Sequence, residues 1–184
     1  MRVQAELVTS KEELHQILDL QQRNLKRNID DAEMNSQGFV TMEHTFDVLQ
    51  QMHDLAPSII IKDGDKVAGY ALTMLRACRA MVPDLDPMFA NFDILTWNSK
   101  PMNEYSFYAM GQICIGKEYR GKGLFEELYN GHKKFYGDKY DFIITEVSTT
   151  NYRSLRAHEK VGFKTVHTYR DAIDEWAVVL WDWQ

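Results

Sequence analysis

The chain is short of cysteine, of cationic clusters and of long apolar runs, and each shortage closes off a class of protein. Two cysteines, Cys78 and Cys114, stand in 184 residues. They show no Cys-x-x-Cys spacing and build no disulfide framework. His44 and His53 are not at metal-ligand spacing, so no metal is expected. No stretch is apolar for long enough to span a bilayer, and Met1–Glu6 lacks the apolar run of a signal peptide. The expected address is cytoplasmic, with both thiols reduced. Lysine and arginine total 21 against 27 acidic residues, a net charge of −6. With no basic run among them, neither a nucleic-acid nor a membrane partner is expected. There is no internal repeat and no low-complexity segment.

What is present fits one folded unit. The length allows a single domain over 1–184 with a sizeable core, and 45% hydrophobic with 12% aromatic residues suits a globular chain. The acidic balance is compatible with a cationic substrate such as an amine. Val3–Thr9 alternates as a strand. Ser10-Lys-Glu-Glu13 is a capping box, which predicts a helix to about Asn28 with Leu14, Ile17, Leu18 and Leu25 on one face. Ile29 to Gly38 reads as a polar loop, and Thr41 as the cap of a second helix carrying Phe46, Leu49 and Met52. Ser58–Lys62 and Lys66–Leu75 form a hairpin around Asp63-Gly64-Asp65. Arg76–Glu104 holds three of the four prolines and reads as an excursion with a helical turn or two. Its acids, Asp84, Asp86, Asp93 and Glu104, suit a solvated surface or, more sharply, an acceptor-site wall that attracts a cation. A strand over Tyr105–Ile115, with Gly111 marking a bulge, leads into the stretch that organises the chain.

That stretch is Gly111–Glu126. Apolar strand residues come first, then a loop with Arg120, Gly121, Lys122 and Gly123, then a helix from about Leu124. The unpaired N–H groups and the dipole of a helix start make a place for a phosphate. Glycines let the backbone close on it. The helix runs to about Lys139, with Leu124, Phe125, Leu128, Tyr129, His132, Phe135 and Tyr136 as its buried stripe. A strand at Phe142–Val147, a helix at Asn151–Val161 stopped by Gly162, and a closing hairpin over Phe163–Tyr169 and Glu175–Trp183 complete a mixed α/β order. Trp176, Trp181 and Trp183 suit core and edge packing, or a homodimer interface.

Two families use such a loop. Gly116-x-x-x-x-Gly121-Lys122-Gly123 comes within one residue of a P-loop, but Gly123 stands where the Mg²⁺-binding hydroxyl belongs. Arg120-x-x-Gly123, preceded by Ile113-x-Ile115 and followed by Leu124-Phe125-x-x-Leu128-Tyr129, resembles motif A of the GNAT superfamily of acetyl-CoA-dependent N-acetyltransferases. That pattern is Gln/Arg-x-x-Gly-x-Gly/Ala, and Phe125 departs from its last position. The stretch Glu146 to Phe163 resembles motif B, a strand ending in Glu followed by Asn-x-x-Ala/Ser-x-x-x-Tyr and Gly-Phe. Glu146, Asn151, Ser154 and Gly162-Phe163 match in register, with His158 at the Tyr position. The two motifs cover residues 111–163.

The resemblance implies a single-domain GNAT-like α/β fold, a mixed sheet flanked by helices on both faces. It implies acetyl-CoA as co-substrate. The contacts would come from the strand Ile113-Cys114-Ile115, from Arg120, and from the backbone of Gly121, Lys122, Gly123, Leu124, Phe125 and Glu126. Asn151 and Ser154 would add to them, and the strand would take the pantetheine arm by β-augmentation. An amine acceptor, small molecule or peptide, must be neutral to attack, and a lysine-like amine with a pKa of about 10.4 is mostly protonated. Glu146 is the candidate base, since it shares a strand face with Phe142 and Ile144 and burial would raise its pKa. It can equally be a surface or ion-paired Glu. His158 is the candidate acid for the leaving thiolate, or a structural helix residue; Tyr105, Tyr108 and Tyr152 are other donors. Cys114 reads as a buried small hydrophobe, with an acetyl-cysteine intermediate as the alternative. The enzyme reading stands beside an acyl-CoA sensor without turnover and a nucleotide-phosphate binder.

Overall fold

Short apolar runs set at a period of two build one sheet, and longer runs at helical spacing cover its faces. The computed structural model describes residues 4–37 and 39–184, with side chains for all of these except 35 and 36. In chain order, β1 (Ala5–Leu7) is followed by α1 (Lys11–Asn24), α2 (Asp31–Gln37), α3 (Phe46–Leu55) and the hairpin β2 (Ile59–Asp63) and β3 (Lys66–Met74). An excursion holds α4 (Asp86–Ile94) and the short strands β4 (Thr96–Trp97) and β5 (Lys100–Pro101). Then come β6 (Phe107–Ile115), α5 (Leu124–Tyr136), β7 (Phe142–Ser148), α6 (Tyr152–Val161), β8 (Lys164–Arg170) and β9 (Glu175–Asp182).

The main sheet has seven strands in the order β1-β2-β3-β6-β7-β9-β8. Every pairing is antiparallel except β6 with β7, which α5 joins as a crossover. That parallel pair is short. It joins Phe107–Ala109 to Phe142–Ile144 and stops, although both strands run on. The cause lies in β6. Ala71 of β3 faces Ile113 and Thr73 faces Met110, so Gly111 and Gln112 together oppose one residue, Leu72. This is the bulge expected at Gly111, and it bends β6 away from β7. Thr145 Oγ1 donates to the Met110 carbonyl at 2.8 Å where the strands part.

One face of the sheet packs Ile17, Leu20, Leu49, Met52, Leu72, Phe92, Phe107 and Phe142 under α1, α3 and α4. The other packs Ile59, Ile61, Ala71, Leu124, Leu128, Tyr129, Ile143 and Phe163 under α5 and α6. Burying a Leu or Ile of this kind is worth about 1.5–3 kcal/mol. Gly131 sets how closely α5 can lie, since a Cβ there would sit 2.6 Å from Ala5 Cβ and 2.7 Å from Ile59 Cγ2.

Several boundaries differ from the sequence reading. The first strand is confined to Ala5–Leu7, and Val3 lies outside the described residues. The capping box at Ser10 and Glu13 is formed, but α1 ends at Asn24 rather than near Asn28. There the chain leaves the helix to bridge Val40: Lys26 N–H donates to the Val40 carbonyl at 2.9 Å, and Val40 N–H to the Asn24 carbonyl at 3.1 Å. The expected loop at 29–38 contains α2, whose N-terminal Glu33 N–H is taken by the Asp30 carboxylate. Thr45, not Thr41, caps α3 by accepting from Val48 N–H, because His44 N–H is anchored to Gln21 Oε1 and keeps residue 44 out of the helix. The 76–104 excursion is ordered rather than open. Met88, Phe89 and Phe92 of α4 join the core, and Arg76 and Arg79 pair with Asp93 and Asp86.

Candidate active site

Where β6 and β7 part, the backbone of β6 has an open edge. Gly116 N–H bonds Ala68 on the β3 side. By alternation, the N–H and C=O groups of Ile113 and Ile115 face the opening instead, with the Ile115 carbonyl accepting from Arg120 Nε at 3.4 Å. Side chains alternate too. Ile113 and Ile115 pack on the α5 face, whereas Cys114 is buried on the other. Burial pushes the Cys114 thiol up to about 12. It is an inward-facing thiol that also lines the cavity beside the glycine loop, and its raised pKa does not favour an acetyl-cysteine intermediate.

The loop after β6 turns through two left-handed glycines, Gly121 at φ +74° and Gly123 at φ +80°. No protein atom lies within 4 Å of a Cβ built at either, so these positions need glycine for the backbone angle and not for room. Among the described residues, the amides of 121–126 have no protein acceptor; the first amide of α5 to be used is Glu127, which bonds the Gly123 carbonyl. Six donors at a helix start are thus left unpaired, and four of their residues, Gly121, Gly123, Leu124 and Phe125, line a cleft. Phe125 turns its ring away, edge-on to Tyr129 and His158 at 5.3 and 5.0 Å, so only its backbone belongs to the turn.

Arg120 lines the cleft beside the glycine loop with its guanidinium already engaged. Its guanidinium donates to Glu33 Oε1 at 2.8 Å and to Asn24 Oδ1 at 2.6 Å, and Lys117 reaches the same Glu33 at 3.0 Å. The hydrogen bond from Arg120 holds the Glu33 carboxyl below its usual range. Lys122 lies over the Tyr119 ring. The cations of the loop are therefore partly spent on α2, an element the sequence did not reveal.

Two cavities meet at this opening. One, of about 310 Å³, lies between the glycine loop, β6 and α6. Its charged lining residues are Arg120 and Arg153, with no acid among them. The second, of about 210 Å³, extends between β6, β7 and the β8–β9 turn. Its charged lining is the reverse: Asp84, Glu146 and Asp171, with no lysine or arginine. The two share Phe39, Val40, Ile113, Asn151 and Ser154 as a common wall.

At this wall Asn151 caps α6, its Oδ1 accepting from Ser154 N–H at 3.2 Å, while Nδ2 donates to the Phe39 carbonyl at 3.4 Å. Its side chain thus binds the 39–40 segment to α6. Glu146 points into the second cavity. Oε2 accepts from the Tyr169 hydroxyl at 2.8 Å, and Oε1 is buried with no partner among the described residues. Burial, with the Asp171 field, raises its carboxyl to about 7 against the pull of the Tyr169 bond.

His158 is held between two partners. It is buried. Nδ1 lies 2.7 Å from the Ser154 carbonyl, which requires a proton on that nitrogen, and Nε2 then accepts from the Tyr129 hydroxyl at 2.6 Å. Desolvation pulls its pKa down to about 4. At neutral pH the ring is uncharged and both nitrogens are engaged. The other donors are also committed: Tyr105 to the Trp97 carbonyl and Tyr108 to His132, while Tyr152 is exposed.

Sequence reasoning missed Tyr169, Asp171 and Trp176, brought in by the last hairpin, and Arg153 on α6. It also missed Gln112, which accepts from Tyr70 and Gln21 and donates to the Met42 carbonyl at 2.7 Å. The bulge at Gly111 was the available signal for Gln112; nothing local marks the hairpin residues. The tryptophans pack within the chain, Trp181 beside Phe163 and Trp183 beside Tyr108.

Comparison places these features. Structures of similar fold include the NatC complex bound to Gag peptide and CoA, 13% identical over 99% of both chains with a TM-score of 0.65. The ribosomal-protein-S18-alanine N-acetyltransferase of Escherichia coli is 11% identical, over 97% of this chain and 92% of its own, at 0.64. The yncA protein of Salmonella typhimurium, solved with its cofactor acetyl-CoA, is 11% identical over 100% and 95%, at 0.62. A search of curated proteins by sequence finds no match. The profile of the acetyltransferase (GNAT) family matches residues 17–163 of the 184, and with the glycine turn and the split strands β6 and β7 inside that span, the chain belongs to the GNAT acetyltransferase family.

Proposed function

We propose that this protein transfers an acetyl group from acetyl-CoA to a primary amine by direct attack within a ternary complex. The observation that carries the reading is the opposite charge of two connected cavities: one lined by two arginines beside six unpaired amides, the other by three carboxylates. The first suits the diphosphate of coenzyme A, with the amides of 121–126 as donors and the open edge of Ile113 and Ile115 taking the pantetheine arm. The thioester would then lie at the shared wall, beside Ser154 and Asn151.

In this reading Glu146 is the base. A carboxylate with a pKa near 7 is ionised about half the time at neutral pH and is far better matched to an ammonium than an ordinary Glu. The amine gives its proton to Oε1, directly or through one water, and its lone pair forms the N–C bond. The N–H of Ile113 or Ile115 stabilises the oxyanion. The C–S bond then breaks and the electron pair leaves on sulfur. A thiol pKa of about 8.5 lets the thiolate depart without an acid, so no acid role is kept for His158. Free-thiol release from acetyl-CoA over a panel of amines tests the proposal. Amine-dependent release is expected. Tight acetyl-CoA binding with no release from any amine would leave the sensor reading in its place.

A further inference from the structure

The acceptor cavity has a charge pattern that selects among amines. Two other acids of the 76–104 excursion are neutralised locally, Asp86 by Arg79 and Asp93 by Arg76 and Arg79, and Glu104 is exposed to solvent. The acids lining the cavity are not. Asp84, Glu146 and Asp171 form no ion pair among the described residues, and no lysine or arginine lines the space. Asp171 is held in place without being neutralised: its Oδ1 accepts the amides of Ile173 and Asp174 at 2.7 and 2.9 Å. Glu146 Oε1 is buried at the cavity with nothing bonded to it. The lining also includes Met42, Met88, Tyr169 and Trp176, soft and aromatic surface that accepts methylenes and the face of a cation. At about 210 Å³ the cavity is smaller than the roughly 300–1,000 Å³ of common drug-sized sites, which favours a slim acceptor over a polycyclic one.

One neutral amine satisfies Glu146 and leaves the other two acids unpaired. An acceptor with its own carboxylate would be repelled by them. We propose that the acceptor is an unbranched aliphatic diamine, with its reacting amine at Glu146 and its second, cationic amine held by Asp171 and Asp84. This rests on the acetyl-transfer reading above and narrows it.

Three acceptors of equal chain length separate the possibilities: 1,4-diaminobutane, n-butylamine and 4-aminobutanoate, compared by thiol release from acetyl-CoA at one pH and salt concentration. The diamine is expected to exceed butylamine in kcat/KM by about tenfold or more, with 4-aminobutanoate the poorest. Asp171→Asn is expected to cut the diamine-to-butylamine ratio by about tenfold, mainly through KM. Asp84→Asn does the same at an exposed position with no side-chain hydrogen bond to lose, so misfolding cannot imitate the result. Butylamine or 4-aminobutanoate matching the diamine overturns the assignment while leaving acetyl transfer intact, as does a peptide N-terminus turned over in preference to all three. Acetyl-CoA binding with no thiol release from any acceptor removes both readings.

Discussion

Glu146 carries a cost in stability that its proposed role would explain. Its carboxyl is raised from an ordinary value of 4.5 to about 7, chiefly by burial. The folded chain therefore holds this proton more tightly than the unfolded chain does. Ionisation begins to weaken the fold above pH 4.5, and the full cost is present above pH 7. Glu146→Gln keeps the shape and removes the charge. It should raise stability at pH 8 by up to about 3 kcal/mol and change nothing at pH 4. In thiol-release assays the same variant should lose about 10²–10⁴ in kcat, together with the acidic limb near pH 7. A stable variant with an unchanged rate profile would move the base elsewhere. His158 gives the opposite expectation. His158→Phe strands the buried Tyr129 hydroxyl, which costs about 1–3 kcal/mol in denaturant unfolding, and adding Tyr129→Phe should recover much of it. Turnover per folded molecule should hold. A hundredfold fall in kcat with intact CoA affinity would return His158 to the chemistry. At this scale the motifs were a good guide to positions, because Glu146 lines the second cavity and Asn151 and Ser154 the common wall. Protonation state was not legible, since the partners that set it, Tyr169 and Tyr129, sit 23 and 29 residues away in sequence.

Among elements, α2 changes the account of the anion loop. Glu33 draws Arg120 and Lys117 together, so an incoming diphosphate competes with a carboxylate for the same cations. Glu33→Gln keeps an oxygen for Arg120 but removes the competing charge. It should tighten CoA binding by about threefold and steepen its salt dependence, both read by titration calorimetry at two ionic strengths. Unchanged affinity would show that Arg120 stays outside the reach of the phosphates. The sequence concealed this element because Asp31–Gln37 is a seven-residue, largely polar helix with no apolar stripe to announce it. By contrast α1 and α5 were readable, the first from its capping box and the second from its stripe between Leu124 and Tyr136. The end of α1 was not, because it is decided by a bridge to Val40, fifteen residues on from Leu25.

For the whole molecule, buried imidazoles dominate the response to acid. Burial lowers His44 and His158 to about 4 and His132 to about 3. A depressed histidine binds its proton in the unfolded chain first, so stability is complete above about 6.5 and is lost as pH falls towards 4. Near pH 5.5 these three should take up close to three protons on unfolding and Glu146 should release one. The net of about two predicts a loss of roughly 3 kcal/mol per pH unit in denaturant midpoints between pH 6 and 5. A flat profile would mean that the rings are hydrated. A mixed sheet with helices on both faces and a bulge at Gly111 were legible in the sequence, but the order of the strands was not, since it depends on pairings between strands far apart in the chain. The parting of β6 from β7 leaves a sheet of two leaves, β1-β2-β3-β6 and β7-β9-β8, whose shared ladder runs along Phe107–Ala109 with Thr145 and Asp141 bonded across at its two ends. A guest lying in the slot along Ile113 and Ile115 would bridge the leaves as mortar bridges two courses of brick, continuing the join beyond the point where the strands themselves stop pairing.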